Sequence, residues 1–245
     1  MSNHTKASPR RRALITGASS GIGEATAKAF AQSGFDVALV ARSEAKLVAL
    51  AKALSQLGVT ASAFVIDLAD IAQVKRQIAG VIGQFGPVDV LVNSAGMGYT
   101  GSLGEMPLAD WQQVINLNAT SVFQVVQAAL PSMRQQADGL IINIASIAAQ
   151  QTFASWGAYG VSKAALVALS KAIADEESAH GIRVVTLLPG AVNTPIWDSA
   201  TVQADFDRTT MLSPETVAQT ILHTALLPST AVISQIVMTP SQGAF

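Results

Sequence analysis

Tyr159 and Lys163 stand four residues apart in a segment of helical periodicity, so both side chains are expected on one face of a helix. A free tyrosine phenol has a pKa of about 10 and is a poor base at neutral pH. A neighbouring ammonium group favours the phenolate and lowers that pKa. The pair could therefore act as general acid and base without a histidine. The same spacing is common in helices that carry no chemistry, so it needs support from other residues.

Further polar residues follow two strand-like segments. Ser146 comes directly after the apolar run 140–145, and Asn93 ends the run 88–93. Ligands of an open parallel sheet bind beyond the carboxyl ends of its strands, so both residues are expected at one site. Asn118 is a polar residue inside an apolar segment, where it could be buried and hydrogen-bonded. Alternatively, Ser146 only caps a loop and Asn118 only satisfies backbone groups.

A glycine-rich turn follows the first strand-like run. Its G-x-x-x-G-x-G spacing differs from both the G-x-G-x-x-G fingerprint and the P-loop. Glycines there allow a sharp turn and let backbone N–H groups approach a pyrophosphate at a helix N-terminus. An ordinary tight turn would explain the spacing alone, but its position in a βαβ pattern favours a dinucleotide. The cofactor-binding residues expected in this turn are Gly17, Ser19, Ser20, Gly21, Ile22 and Gly23.

The end of the second strand-like run indicates which dinucleotide. An acidic residue near this point binds the ribose 2′-hydroxyl of NAD, whereas an arginine accommodates the 2′-phosphate of NADP. Here Ala41 takes the acidic position and Arg42 follows it. Arg42 could pair with a phosphate bidentately, which predicts NADP(H) as cofactor. The alternative is a solvated arginine at a strand end.

The segments that must position these residues alternate between short apolar runs and longer helical patterns. This alternation predicts an α/β fold: a single-domain, Rossmann-like, doubly wound parallel sheet of about seven strands with helices on both faces. Residues 1–12 are expected to form a flexible N-terminal arm, 13–245 one NADP(H)-binding catalytic domain, and 189–213 a substrate-binding loop or lid. The apolar runs are 13–16, 37–41, 63–66, 88–93, 140–145, 184–188 and 232–238, and the helical patterns lie near 21–33, 44–57, 70–84, 108–133, 155–179 and 214–226.

Composition removes several classes of function. Cysteine is absent, and His4, His180 and His223 show no metal-ligand spacing, so no metal site is expected. A net charge of −1 offers no field for nucleic acid. We see neither a signal-peptide pattern nor an apolar run that could span a bilayer, which predicts a cytoplasmic protein without a membrane partner. Charged residues make up 13% of the 245 residues, against a typical value of about 25%, which suggests buried surface between copies of the chain.

Taken in order, these motifs resemble those of the short-chain dehydrogenases/reductases. The matching segments are 16–23, 93–96, Ser146, 159–163 and Pro189-Gly190, and they are similar to the short, single-domain branch of the family. The resemblance runs from about Ala13 to Val237. Ser94 departs from it, since that branch commonly has a second Asn there, and the C-terminal strand and tail are only loosely similar.

The resemblance implies a role for each matching residue. Tyr159 would exchange a proton with the carbonyl or alcohol oxygen, and Ser146 would hydrogen-bond that oxygen as charge develops. Lys163 would lower the Tyr159 pKa and bind the nicotinamide ribose, while Asn118 would hold a water in a proton relay. Other cofactor contacts implied are Asn93, Ala95 and Gly96 along the cofactor, Asp67 and Leu68 at the adenine, and Pro189, Gly190, Val192 and Thr194 on the nicotinamide side.

The function expected is that of an NADP(H)-dependent carbonyl reductase or alcohol dehydrogenase with a small-molecule substrate. The resemblance also implies a homodimer or homotetramer built on the helices near 108–133 and 155–179. The alternatives are a 3-oxoacyl-carrier-protein reductase, a sugar epimerase or dehydratase of the extended branch, and a non-catalytic nucleotide sensor. Side chains that could wall a substrate pocket are Tyr99, Phe153, Trp156, Trp197, Phe206 and Met211.

Overall fold

The computed structural model of the protein describes residues 10–204 and 207–241. Strands form where the sequence is apolar and β-branched, and helices form where apolar residues recur at helical spacing. The strands are β1 (Arg12–Thr16), β2 (Asp36–Ala41), β3 (Ala61–Val65), β4 (Val90–Asn93), β5 (Gly139–Ile144), β6 (Ile182–Pro189) and β7 (Gln235–Met238). The α-helices are α1 (Gly21–Gln32), α2 (Glu44–Ser55), α3 (Val74–Phe85), α4 (Leu108–Ile115), α5 (Ser121–Gln136), α6 (Gly157–Glu177) and α7 (Pro214–Leu226).

All of these strands pair in parallel within one sheet, in the order β3-β2-β1-β4-β5-β6-β7. The strand order reverses between β1 and β4, so the loops that follow them diverge to opposite sides. In an open α/β sheet this divergence opens a crevice at the carboxyl ends of the strands. The doubly wound parallel sheet predicted from the sequence is therefore confirmed.

The core lies in two layers, one on each face of the sheet. Successive side chains of a strand point to opposite faces, so Ile15 belongs to one layer and Leu14 to the other. The first layer is covered by apolar residues of α1, α2 and α7, and the second by those of α3, α5 and α6. Strands buried on both faces explain why their sequences are apolar throughout.

One helix predicted from the sequence is not continuous. The segment near 108–133 consists of α4, a π-helical stretch over Asn116–Thr120, and α5. Such wide turns inside helices are frequent at functional sites. Here the wide turn contains Asn118, which is fully buried and bonded outside its own helix. The last strand also differs, since β7 begins at Gln235 rather than at residue 232.

The basic residues near the N-terminus are already part of the folded domain. Arg12 begins β1, and its backbone N–H donates to the Asp89 carboxylate at 2.6 Å. The Arg11 guanidinium donates to the Ala225 carbonyl at 2.7 Å and stacks over Phe35 at 5.0 Å from the ring centroid. The sequence predicts a flexible arm that ends at residue 12, whereas the structure ties residues 10–12 to the domain. Residues 1–9 lie outside the described part of the chain.

Candidate active site

A cavity of about 800 Å³ opens at the carboxyl ends of the strands. It brings together residues that lie as far apart in sequence as Gly17 and Thr194. The sequence-predicted site residues that line it are Gly17, Ser19, Ser20, Gly21, Ile22, Arg42, Asp67, Leu68, Ala95, Gly96, Ser146, Tyr159, Lys163, Pro189, Gly190, Val192 and Thr194. Gly23, Asn93 and Asn118 are not part of its wall.

The glycine turn allows two close approaches of the backbone. Gly17 has a φ of +68°, and a Cβ added there would lie 2.9 Å from Ala95 in the loop after β4. A Cβ at Gly23 would collide with the carbonyl of Gly17, so the start of α1 packs directly on the turn. Ser20 precedes α1 without giving it a side-chain cap. The first N–H groups of α1 are therefore free to donate hydrogen bonds to a phosphate group, which fits the pyrophosphate of a dinucleotide.

Charged residues mark one end of the cavity. Arg42 and Asp67 line it, and both are exposed. Asp67 accepts a hydrogen bond from the backbone N–H of Ala69 at 3.0 Å, which fixes its carboxylate at the end of β3. Leu68 is buried beside it and supplies an apolar surface. This end can receive a flat base together with a phosphate group.

Ser146 and Tyr159 present their hydroxyl groups at the middle of the cavity. Ser146 caps the short turn that follows β5, accepting a hydrogen bond from the backbone N–H of Ala148 at 3.1 Å. Burial raises the pKa of Tyr159, and the nearby Ser146 hydroxyl opposes that rise because it can donate a hydrogen bond to the phenol oxygen. Tyr159 is therefore protonated at neutral pH, which suits a proton donor to a carbonyl oxygen.

Lys163 lies one helical turn after Tyr159 and is buried. Its Nζ donates to the Ile144 carbonyl at 2.9 Å and lies 5.7 Å from the centroid of the Tyr159 ring. Burial lowers the pKa of Lys163 from its usual 10.5 to about 8. The family resemblance implies that Lys163 lowers the pKa of Tyr159, and that role stays a prediction; in this structure burial of the phenol is the larger influence and raises its pKa.

Asn118 connects the wide turn between α4 and α5 to the loop after β4. Its Oδ1 accepts from the Met97 N–H at 2.8 Å, and its Nδ2 donates to the Met97 carbonyl at 2.9 Å. The second Nδ2 proton goes to Ser162 Oγ at 2.9 Å, next to Lys163 on α6. Both amide protons are therefore in use, so a water held by Asn118 would have to bind one of its oxygen atoms.

Asn93 does not line the cavity but supports the site through hydrogen bonds behind the cavity wall. Its Nδ2 donates to Asn143 Oδ1 at 2.8 Å, and Asn143 Nδ2 donates to Ser170 Oγ on α6, also at 2.8 Å. All three side chains are buried. This chain of bonds fixes α6, and hence Tyr159 and Lys163, against the ends of β4 and β5. The family resemblance implies Asn93 as a residue that lines the cofactor, whereas here its side chain lies behind the cavity wall.

The described parts of the loop after β6, residues 190–204 and 207–213, lie at the cavity and are held at several points. The Gly190 N–H donates to the Met238 carbonyl at 2.8 Å, and Val192 pairs with Leu212. Thr194 packs against Gly21, where an added Cβ would lie 3.0 Å from its methyl group. The Arg208 guanidinium donates to the Thr194 carbonyl at 3.0 Å. The loop thus closes over the glycine turn.

Sequence reasoning missed several members of the site. Ser162 and Asn143 are buried partners of the predicted residues, and Asn143 had a signal, since it is polar inside an apolar strand. Among the side chains expected as pocket walls, Phe153, Trp156 and Trp197 line the cavity. Tyr99 and Met211 do not, and the Tyr99 hydroxyl instead donates to Asp110 at 2.9 Å. Phe206 lies outside the described residues.

Two features are absent from residues 10–204 and 207–241. We find no cluster of His, Asp and Glu side chains there that could hold a metal ion. In the same ranges, no helix has the length and apolar character needed to cross a bilayer.

Comparison with known proteins places the site in a family context. The family model for short chain dehydrogenases matches residues 11–205. An uncharacterized oxidoreductase of Staphylococcus epidermidis is 32% identical over 228 residues, which cover 93% of this chain and 96% of that protein. The 3-oxoacyl-acyl-carrier-protein reductase of Thermotoga maritima is 36% identical over 233 residues, covering 91% and 94%.

A solved structure is similar over nearly the whole chain. The alcohol dehydrogenase of the archaeon Thermococcus sibiricus, complexed with 5-hydroxy-NADP, superimposes with a TM-score of 0.88 at 28% identity. The match covers 96% of this chain and 99% of that one.

Proposed function

The chain belongs to the short-chain dehydrogenase family, and we propose that it is an NADPH-dependent carbonyl reductase acting on ketones and aldehydes that are free small molecules. One observation carries the proposal: Ser146 and Tyr159 line one cavity together with an uncapped helix N-terminus and Arg42. Such a site aligns a carbonyl group with a dinucleotide. The NADP complex of the Thermococcus sibiricus enzyme supports the choice of cofactor.

Each residue has a separate task in the proposed reaction. Ser146 hydrogen-bonds the substrate oxygen and stabilises the negative charge that develops there. Tyr159 donates its proton to that oxygen. NADPH, when bound, would supply a hydride to the carbonyl carbon and leave as NADP⁺. The product is the alcohol, and Tyr159 regains its proton from solvent. Because the pKa of Tyr159 is raised, the phenol holds its proton at neutral pH, which favours the direction of reduction.

The chain would hold the cofactor through residues spread along the cavity. The first turn of α1 and Ser19 would bind the pyrophosphate, and Arg42 the 2′-phosphate. Asp67, Leu68, Ala95 and Gly96 would contact the adenosine half. Lys163, Pro189, Gly190, Val192 and Thr194 would contact the nicotinamide half, with 189–213 as the lid. Asn118 would keep the loop after β4 in place and hold a water near Lys163.

The second candidate is a 3-oxoacyl-carrier-protein reductase, which the similarity to the Thermotoga maritima enzyme favours. An acidic carrier protein would need free cations around the cavity mouth. Arg208 stands on the lid, but it is committed to Asp198 at 2.6 Å and to Asn193 at 2.9 Å. The charge pattern therefore favours free small molecules as substrates.

The test measures NADPH consumption with aliphatic and aromatic ketones and aldehydes, with a free 3-oxobutanoyl thioester, and with the same acyl group on an acyl carrier protein. We expect free carbonyl compounds to be reduced, and attachment to the carrier to leave kcat/KM unchanged within about threefold. A gain of more than about tenfold on attachment to the carrier would favour the second candidate. If no carbonyl compound consumes NADPH, the proposed function is wrong.

We also propose that the protein is a homodimer or homotetramer built on α4, α5 and α6. These helices expose Leu108, Phe123 and Val161, with Leu108 at 78%. In sedimentation we expect two or four times the mass of one chain, and a shift to smaller species for Phe123→Asp. Val48→Asp, at an exposed apolar position on α2, is the matched control. A monomer at all concentrations would contradict the assembly.

A further inference from the structure

The end of the cavity beyond Tyr159 has aromatic walls. The indole of Trp156 meets the Tyr159 ring edge to face, with centroids 5.3 Å apart and an interplanar angle of 71°. Trp197, on the lid, meets Trp156 in the same way at 5.7 Å and 68°. Both tryptophans line the cavity. The proton donor thus stands at one side of a pocket formed by two indoles.

These walls are fixed in position. Trp197 Nε1 donates to the Val192 carbonyl at 2.8 Å, which anchors its polar edge to the base of the lid. Edge-to-face contacts of this kind stabilise a ring pair by about 0.5–1.5 kcal/mol beyond the area that they bury. A flat apolar group that enters here meets a wall already formed.

The lid and the loop after β4 are joined over this end of the cavity. The Thr100 N–H donates to the Thr201 carbonyl at 2.9 Å, and Thr201 Oγ1 donates to the Gly98 carbonyl at 2.7 Å. Gly98 itself packs against Trp156 and Val202, since an added Cβ would lie 3.4 Å and 2.7 Å from their side chains. Apolar side chains therefore enclose the end of the cavity around the two indoles.

Charge is confined to the other parts of the cavity. Over residues 10–204 and 207–241, the cavity lining carries ionisable charge only at Arg42, Asp67 and Lys163. Arg42 and Asp67 follow β2 and β3, away from the lid, and Lys163 is buried against the Ile144 carbonyl. A carboxylate brought against Trp156 and Trp197 would lose its hydration without gaining a partner there.

We propose that this pocket takes the aromatic or bulky apolar substituent of an uncharged ketone or aldehyde, with Trp156 and Trp197 as specificity-determining residues. The inference rests on the proposed function, since it defines the substrate class of the same site. The carbonyl group lies at Ser146 and Tyr159, and its larger substituent packs on the indoles. Small and anionic carbonyl compounds are poor substrates because they leave the apolar wall uncovered or bring an unpaired charge to it.

The first arm of the test uses the unmodified protein and four ketones. We expect kcat/KM for acetophenone to exceed that for acetone by roughly 30-fold or more, because a single methylene in an apolar pocket already discriminates by about 10- to 200-fold and a phenyl group buries more apolar surface than that. Methyl 4-acetylbenzoate should exceed 4-acetylbenzoate, which differs from it in replacing the ester by a carboxylate, by roughly tenfold or more. If acetone is a better substrate than acetophenone, or 4-acetylbenzoate a better one than its methyl ester, the inference is overturned while the proposed function stays intact. No NADPH consumption with any of the four would overturn both.

The second arm changes the wall. Trp197→Ala should reduce the acetophenone-to-acetone ratio to roughly fivefold or less, and Trp197→Phe should keep most of it. Trp111→Phe is the matched control, since Trp111 lies on α4 outside the cavity lining, and its ratio should not change. If Trp197→Ala leaves the acetophenone-to-acetone ratio of kcat/KM unchanged, Trp197 does not determine substrate specificity. NADPH binding by each variant shows that it is folded, and the ketone series of the unmodified protein decides the substrate class if Trp197→Ala does not fold.

Discussion

Tyr159→Phe should lower the rate of carbonyl reduction by about 10²- to 10⁴-fold, the usual contribution of a positioned proton donor. The substitution keeps the ring that packs against Trp156 and removes only the hydroxyl near Ser146. NADPH affinity should therefore change little. The measurement is single-turnover reduction of a good ketone substrate, together with NADPH binding, for both proteins.

The chain offers a matched control, because its only other tyrosine is Tyr99. The Tyr99 hydroxyl donates to Asp110 and lies outside the cavity lining, so Tyr99→Phe removes an equivalent group without touching the site. Its reduction rate should stay within about threefold of the unmodified protein. Near-normal turnover by Tyr159→Phe would disprove the assignment of the proton donor.

The direction of the pKa shift adds a pH dependence to this prediction. Burial raises the pKa of Tyr159, so the phenol stays protonated across neutral pH. Reduction needs that proton and should fall only at strongly alkaline pH, whereas oxidation of the alcohol should rise with pH. Lys163 loses its charge as the pH rises through its pKa of about 8, so above that pH it stabilises a Tyr159 phenolate less.

Arg42→Ala should raise the Kd for NADPH by roughly 30- to 150-fold, which corresponds to losing a charged phosphate contact of about 2–3 kcal/mol. NADH lacks the 2′-phosphate, so its affinity should be nearly unchanged. We expect the loss of NADPH affinity because Arg42 is exposed at the cavity edge directly after β2, where it can reach the 2′-phosphate. The measurement is kcat/KM with each cofactor, reported as a ratio. Equal use of both cofactors by the unmodified protein would refute the preference.

Two further variants sharpen the test. Ala41→Asp should move the preference toward NADH, by adding a ribose acceptor and repelling the phosphate. Ala41 and Arg42 are adjacent, so their effects need not add. Arg76→Ala is the control, since Arg76 is an exposed arginine on α3 that bonds Gln73 outside the cavity. A cofactor ratio altered equally by Arg76→Ala would indicate a general effect of charge rather than a contact.

The structure also removes a competing explanation for cofactor choice. The sequence places Arg10, Arg11 and Arg12 just before β1, where an approach to the adenosine phosphate was conceivable. They lie instead at the amino end of that strand. Arg10 donates to the Gly58 carbonyl, and Arg11 donates to the Ala225 carbonyl. Arg42 is therefore the arginine to test.

Local pattern was enough to predict the sheet and the edge at which the site lies. Strands buried on both faces must be apolar along their length, so a polar residue such as Ser146 marks where such a strand ends. The carboxyl ends of parallel strands meet at one edge, which predicts that residues following different strands converge there. The Tyr159–Lys163 spacing also follows from the helix period alone.

Other features depend on packing between segments far apart in sequence, and only the tertiary structure decided them. The wide turn at Asn118 exists where that side chain bonds Met97 and Ser162, which no local periodicity encodes. The direction of the Tyr159 pKa shift is set by how much water burial removes from the phenol, and spacing says nothing about burial depth. The facing indoles of Trp156 and Trp197 meet because the lid folds back over the sheet edge. Spacing along the chain therefore determined which chemistry is available, and long-range packing determined its protonation and the shape of its substrate pocket.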